Sequence, residues 1–120
     1  MCTHQGSAEV VEHMEALVAC NRAVSAGPVG GRTYLRRAEA LYAVRDVEGA
    51  VADYTRAIET DPPLESRWLA QAYLRRSICR HQLGRFDDAE CDAGVSLELW
   101  HRPAALAIRG IARFFRGDPD

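Results

Sequence analysis

The chain has 120 residues, which is enough for one modest domain with a single hydrophobic core. Its composition, 48% hydrophobic and 27% charged, is that of an ordinary globular protein, and its net charge of −2 argues against nucleic acid as a general partner. No apolar run is long enough to span a membrane and residues 1–13 do not resemble a secretory signal, so we expect a cytoplasmic protein without a membrane partner.

The first predicted helix covers about residues 8–26 and follows a polar stretch, residues 1–7, which we expect to be disordered. Within the helix, Val10, Met14 and Leu17 lie three or four residues apart, so they share one face. Acidic residues are concentrated near its start, where they suit the positive end of the helix dipole. We therefore expect a single amphipathic helix at the start of the chain.

Two helical patterns follow each other within residues 31–62. Each pattern places its apolar and small residues on one face: Tyr34, Ala38 and Leu41 in the first, then Ala50, Tyr54, Ala57 and Ile58 in the second. Asp46, in the short link between them, can accept from the first free amides of the second helix. Pro62 ends that helix, because the residue before a proline is pushed out of helical geometry. Ala38 and Ala50 allow two antiparallel backbones to approach closely.

This spacing resembles the tetratricopeptide repeat, a helix-turn-helix unit of about 34 residues. Six residues stand where that family has an aromatic, a small residue, an alanine, an aromatic, an alanine and a proline: Tyr34, Ala38, Ala50, Tyr54, Ala57 and Pro62. Arg37 replaces the usual leucine, and Leu41 replaces the usual aromatic residue. The resemblance implies an all-α chain, folded as a right-handed solenoid of about six antiparallel helices with no strands.

The Tyr-Leu-Arg-Arg sequence of residues 34–37 recurs unchanged at residues 73–76. We expect the second copy to lie in a helix over about residues 64–83, followed by a left-handed cap at Gly84 and a helix over residues 86–99. In that last helix small residues replace an aromatic residue and an alanine of the family pattern, which predicts looser packing; they are Ala93 and Ser96. Residues 64–101 thus form a second full repeat.

The last predicted helix covers residues 103–116 and is apolar around most of its circumference, including Phe114 and Phe115. Such a helix requires neighbours on more than one side. The whole resemblance divides the chain into half a repeat, two repeats and half a third: residues 8–28, 31–62, 64–101 and 103–120. The first helix likewise lacks its repeat partner. We therefore expect a segment of a longer repeat array, or self-association through the C-terminal helix.

In the tetratricopeptide family the first helix of each repeat lines a concave groove, which holds a peptide or a helix of a partner protein. By the match of positions, twelve residues line this groove: Arg32, Leu35, Arg36, Glu39, Tyr42, Gln71, Leu74, Arg75, Ile78, His81, Ile108 and Ile111. Arg36 and Arg75 hold equivalent positions, and two guanidinium groups could bind a carboxylate. In the alternative interpretation they are solvated or paired with Glu39.

The resemblance implies a non-catalytic scaffold or adaptor that binds another protein. One alternative is a co-chaperone module for the C-terminal peptides of chaperones, and another is a regulatory domain of a longer, multidomain protein. Co-chaperones grip a terminal carboxylate with five polar or basic side chains. The residues at those five positions match none of them: Leu35, Glu39, Arg75, Ala104 and Ile108.

No arrangement of residues indicates an active site, so we predict neither enzymatic activity nor a cofactor. The four cysteines show no zinc or redox spacing, and we expect free thiols, with Cys20, Cys79 and Cys91 partly buried on helices. Cys79 and His81 are two residues apart and point to different sides of a helix, so they could not readily act as a pair. Nothing resembles a phosphate loop or a metal cluster.

Two arginines, Arg37 and Arg76, stand where the family pattern has a buried apolar residue. Asp53 lies 16 residues after Arg37, and Asp92 lies 16 residues after Arg76. In an antiparallel hairpin these residues come close together. We therefore predict two partly buried ion pairs, in which the aliphatic stems of the arginines cover the contact between the helices.

Overall fold

The structure, a computed structural model, describes the backbone of residues 3–100 and 108–111 and the side chains of residues 11–100 and 108–111. Five helices follow one another along the chain: α1 (Thr3–Ala26), α2 (Gly31–Ala43), α3 (Val47–Glu59), α4 (Ser66–Gln82) and α5 (Phe86–Leu99). Residues 108–111 are also helical. The described residues contain no strand, so this part of the chain is all-α, as predicted.

Helix α5 has the predicted bounds, whereas α4 begins at Ser66 rather than at residue 64. Helix α1 begins at Thr3, so residues 3–7, which we expected to be disordered, belong to a helix. No proline interrupts this stretch, and adding residues to an existing helix costs far less free energy than nucleating one. The predicted helix over residues 103–116 lies mostly outside the described residues.

Each helix packs on the next one in the chain, from α1 to α5, and α2 also contacts α4. Only three residues, Val44–Asp46, join α2 to α3, so the two helices run back along each other. Where the start of α2 meets the end of α3, Gly31 has no Cβ; one placed there would lie 2.6 Å from Oγ1 of Thr60. Glycine therefore permits this close approach of the two helices.

The core is built mainly from small residues that face each other across the α2–α3 contact. Its largest cluster contains eight buried residues from α2, α3 and α4: Leu35, Ala38, Ala50, Val51, Tyr54, Ala57, Ala72 and Cys79. Ala38 and Ala50 are fully buried, as their predicted pairing required. In the second hairpin Ala93 and Ser96 are fully buried too, and Ser96 Oγ donates to the carbonyl oxygen of Ala70 at 2.8 Å. Helices α4 and α5 therefore pack closely against each other at these small residues.

The turns of the two hairpins share one backbone conformation. Gly84 has a φ of +78°, which confirms the predicted left-handed cap, and Arg45 at the equivalent place has a φ of +73°. Glycine adopts this region freely, whereas a residue with a Cβ is strained in it. Asp46 then caps α3, because its carboxylate accepts from the amide of Gly49 at 3.0 Å. That cap was also predicted.

Both predicted ion pairs are present, and both are bidentate. Arg37 donates through Nε and Nη2 to the two oxygens of Asp53 at 2.5 and 2.8 Å. Arg76 donates through the same two nitrogens to Asp92 at 2.8 and 2.7 Å. The two carboxylates are buried, and a fork of paired hydrogen bonds fixes the geometry as well as the charge. These pairs lie inside the hairpins, where they hold α2 to α3 and α4 to α5.

Each buried carboxylate also receives a second arginine. Arg56 donates to Asp53 at 2.7 Å, and Arg80 donates to Asp92 at 2.8 Å. The first arginines in turn reach back to the preceding hairpin or helix: Arg37 donates to Asn21 Oδ1 at 3.3 Å, and Arg76 donates to Thr55 Oγ1 at 3.0 Å. We call each set a clamp: the first joins α1, α2 and α3, and the second joins α3, α4 and α5.

Helix α1 exposes an apolar stripe. Val11, Met14 and Val18 are exposed by 52%, 54% and 52%. At the other end Ile111 is 41% exposed. Phe114 and Phe115, which we expected to form part of a bare C-terminal face, lie outside the described residues.

Candidate functional site

The predicted groove residues lie on α2, α4 and the helical residues 108–111, and the first two of these elements are in contact. Two hydrogen bonds cross between α2 and α4. Gln71 Nε2 donates to Glu39 Oε1 at 3.5 Å, and Gln82 Nε2 donates to the Tyr42 hydroxyl at 2.6 Å. The structure thus brings the α2 and α4 parts of the predicted site together on one surface.

Two of the predicted groove residues do not reach that surface, and here the prediction was wrong. Leu35 is buried in the main core cluster, where α2 meets α4. Leu74 is buried against Ala93 of α5, with Ile108 packed beside it. Both leucines lie at contacts between helices, and burial of an apolar side chain against a neighbouring helix is more favourable than its exposure to solvent. They support the surface from below.

The polar groove residues remain accessible. Arg32, Arg36 and Arg75 are exposed, while Glu39, Gln71 and His81 are half-buried. Arg36 and Arg75 form no salt bridge within the described residues, so neither is paired with Glu39. Their charges are therefore available to a ligand.

An aromatic side chain marks one end of this surface. The guanidinium carbon of Arg32 lies 4.8 Å from the ring centroid of Trp68, and that of Arg67 lies 4.9 Å from the same ring. Stacking on an indole orients a guanidinium group without neutralising it. Arg32, on α2, therefore presents its charge from a fixed position beside α4.

A cavity of about 90 Å³ opens at the contact of α2, α3 and α4. Five residues line it: Tyr42, Tyr54, Arg75, Ile78 and Cys79. Three of them belong to the predicted groove, but Tyr54 and Cys79 do not. The sequence pattern treats those two as core residues. The signal that could have identified them is chemical, since a hydroxyl and a thiol at core positions require partners that an apolar core does not supply.

Burial is the main cause of the pKa shifts in this cavity. It raises the pKa of the Tyr54 hydroxyl well above its usual range and the pKa of the Cys79 thiol to about 11, while the nearby charge of Arg75 lowers both by less. Both groups are therefore protonated at neutral pH and act as neutral donors. The lining includes one cation and no carboxylate, so the cavity suits an anionic or acceptor group.

The other reactive side chains do not assemble into a site. Cys79 and Cys20 are buried, whereas Cys91 is exposed, which corrects the prediction that it is partly buried; it lies on the outer face of α5, where no described helix covers it. The His81 ring packs against Phe86 with centroids 5.1 Å apart. Within residues 11–100 and 108–111, no three His, Cys, Asp or Glu side chains are grouped closely enough to hold a metal ion. None of the described helices has the length and hydropathy needed to cross a membrane.

The sequence matches no family model, and no curated protein shows significant similarity to it. The resemblance to the tetratricopeptide repeat therefore stays a prediction, which depends on the residues of the two hairpins and their spacing.

Proposed function

We propose that this chain is a non-catalytic binding module, a right-handed tetratricopeptide-like solenoid that holds an extended segment of a partner protein across α2 and α4. One observation carries the proposal. The surface formed by these two helices presents unpaired, exposed arginines beside a cavity lined by hydrogen-bond donors. Exposed arginines are ordinarily solvated, but one of these, Arg75, also lines the cavity, where a ligand would meet its charge and the neutral donors together.

The repetition of the structure supports a solenoid. The hairpin of α2 and α3 and the hairpin of α4 and α5 contain the same arginine–aspartate pair, and each helix packs on the next one in sequence. In such arrays each repeat contacts its neighbours, and equivalent positions form a continuous surface. Arg36 and Arg75 are equivalent positions, so an extended ligand would meet one positive charge for each repeat.

The chemistry of the surface favours a peptide that carries acidic residues. Arginine binds carboxylates through paired hydrogen bonds, and complementary charge raises both the specificity and the rate of association. The backbone of an extended segment also offers carbonyl oxygens to donors such as Gln71.

Selection from random peptides displayed on phage tests the proposal, with the whole chain as bait. We expect enrichment of acidic peptides, whose affinities are then measured by calorimetry on three variants. Arg36→Glu and Arg75→Glu should each weaken binding by about tenfold or more, because each replaces a favourable charge with a repulsive one. Arg22→Glu, an equal change of charge at an exposed site on α1, is the matched control and should have little effect.

The proposal fails if no peptide is enriched, or if the three variants bind the selected peptides equally well. The co-chaperone alternative makes a separate prediction, namely tight binding of acidic peptides that end in a free carboxylate. The burial of Leu35, at one of the five gripping positions, argues against that alternative. A regulatory role within a longer protein would be compatible with the same binding surface.

A further inference from the structure

We infer that the cavity between Tyr42, Tyr54, Arg75, Ile78 and Cys79 is a subsite for one carboxylate carried on a short apolar stem. The inference rests on the proposed function, because it specifies which chemical group of the partner the groove recognises. Two sources share this chemistry: a glutamate side chain within a peptide, and the carboxylate at a peptide's C-terminus.

The cavity has a buried end and an accessible end. Tyr54 and Cys79, each 1% exposed, come from the core cluster and form its depth. Arg75 is exposed and Tyr42 half-buried, so these two residues lie toward solvent. A ligand that enters from the groove therefore meets the guanidinium group and then the neutral donors.

No hydrogen bond joins the Tyr54 hydroxyl to another described residue, and the side chain lines the cavity although the residue as a whole is only 1% exposed. This hydroxyl can therefore donate to an acceptor that enters the cavity. Tyr42 is already held by Gln82, whose amide donates to its oxygen. Its own proton remains available for a ligand.

Charge selects an anion over a neutral acceptor. Arg75 forms no salt bridge within the described part of the chain, and it is the one charged residue of the lining. Arg75 lines the cavity together with Tyr54 and Cys79, and its charge lowers the pKa of both groups by less than burial raises it. Glu39 is also near Tyr54, but it accepts from Gln71 and does not line the cavity. A carboxylate in the cavity would supply the missing counter-charge.

Size and wall chemistry limit the rest of the ligand. A cavity of about 150 Å³ accepts a benzene molecule. This one has about 90 Å³, which leaves room for a carboxylate and a few carbon atoms but excludes an aromatic ring. Ile78 and the two tyrosine rings provide apolar walls for methylene groups. A glutamate side chain, or the end of a peptide with a small final residue, has these proportions.

The test uses butyrate as the probe and butyramide, its neutral isostere, as the control. The whole chain is titrated with each compound while the ring signals of Tyr42 and Tyr54 are followed by NMR. Butyrate should shift both rings in a saturable manner, and butyramide should not do so at the same concentration. Equal shifts with the two compounds would overturn the inference, because they would show that the cavity does not select charge.

Two variants locate the interaction. Arg75→Gln, at an exposed residue without a hydrogen bond in the described structure, should weaken butyrate binding by about tenfold. Arg36→Gln, at the equivalent position outside the cavity, should change it by less than about twofold. Tyr54→Phe keeps the ring and removes the hydroxyl of a residue that lines the cavity, so it should weaken binding several-fold without loss of stability. If Arg75→Gln and Arg36→Gln behave alike, the carboxylate does not bind here.

Peptides then separate the two sources of the carboxylate and the two proposals. One peptide contains an internal glutamate and an amidated C-terminus; the other replaces the glutamate with glutamine and ends in a free carboxylate. The source is identified by whichever peptide loses affinity in the Arg75→Gln variant. If selected peptides bind but butyrate does not, the binding module stands without this subsite. If butyrate binds and no peptide does, the subsite stands and the peptide-binding function fails.

Discussion

The α2–α3 hairpin and the α4–α5 hairpin share a bidentate arginine–aspartate pair, but they differ in their cores and turns. The first hairpin places Tyr54 in its core, where the second has Ala93 at the equivalent position. The first has a left-handed arginine and an aspartate cap in its turn, whereas the second has Gly84 and an uncapped helix start. The comparison shows that buried charges can maintain one hairpin geometry while the surrounding residues change.

The largest expected effect concerns the core residue that the hairpins do not share. Tyr54→Ala should destabilise the protein by about 3–5 kcal/mol, as large-to-small substitutions of buried aromatic residues do. Ala93→Tyr, the reverse change in the second hairpin, should cost about 1–3 kcal/mol because the closed α4–α5 contact would be overpacked. Urea unfolding followed by circular dichroism measures both. If Ala93→Tyr leaves the free energy of unfolding unchanged, the α4–α5 contact has space for a tyrosine ring even though Ala93 is fully buried.

The next effect tests the feature that the hairpins share. Asp53→Ala and Asp92→Ala should each cost about 3 kcal/mol, because each leaves two arginines without their carboxylate; partial exposure of the arginines places the cost at the lower end of the range for buried pairs. Similar losses in urea unfolding would show that the clamps are equivalent. A loss below about 1 kcal/mol at either aspartate would mean that this clamp contributes no more to stability than a surface ion pair does.

A smaller effect of opposite sign is expected at the two turns. Arg45→Gly should stabilise the protein by about 1 kcal/mol, because glycine removes the strain of a left-handed residue with a Cβ. Gly84→Ala should destabilise it by a similar amount. The midpoint of thermal unfolding is sufficient to measure both changes. Destabilisation by Arg45→Gly would mean that the arginine side chain contributes more than its backbone conformation costs.

The smallest effect is expected at the starts of α3 and α5. Asp46→Ala should cost about 0.5–1 kcal/mol through loss of its hydrogen bond to the Gly49 amide. Arg85→Ala should change stability by less than about 0.5 kcal/mol, since Arg85 provides no cap and its ion pair with Glu48 is exposed. Thermal unfolding at low and high salt separates the two cases, because the exposed ion pair depends wholly on charge, whereas the cap also contains a hydrogen bond to a neutral amide.

The sequence was sufficient to predict most of the helices and the arginine–aspartate pair of each clamp, but not the second arginine of either clamp. Apolar spacing located the hairpins, and the 16-residue separation of Arg37 from Asp53 implied their contact once the helices were taken as antiparallel. Spacing along one helix could not show that Leu35 is covered by α4, since that depends on how neighbouring helices approach each other. It also could not show a cavity under Arg75, because a cavity is a property of three helices rather than of one motif.

The two clamps meet in one helix, and this has a consequence for how the protein unfolds. Helix α3 supplies Asp53 to the first clamp and accepts the Arg76 bond of the second through Thr55. Loss of α3 would therefore leave Arg37 without its counter-ion and Arg76 without its hydrogen bond to the preceding hairpin. Because neighbouring helices stabilise each other in this way, we expect them to unfold together. Amide exchange in α2 and in α4 should accordingly report one common opening, and Thr55→Val should begin to separate it into two.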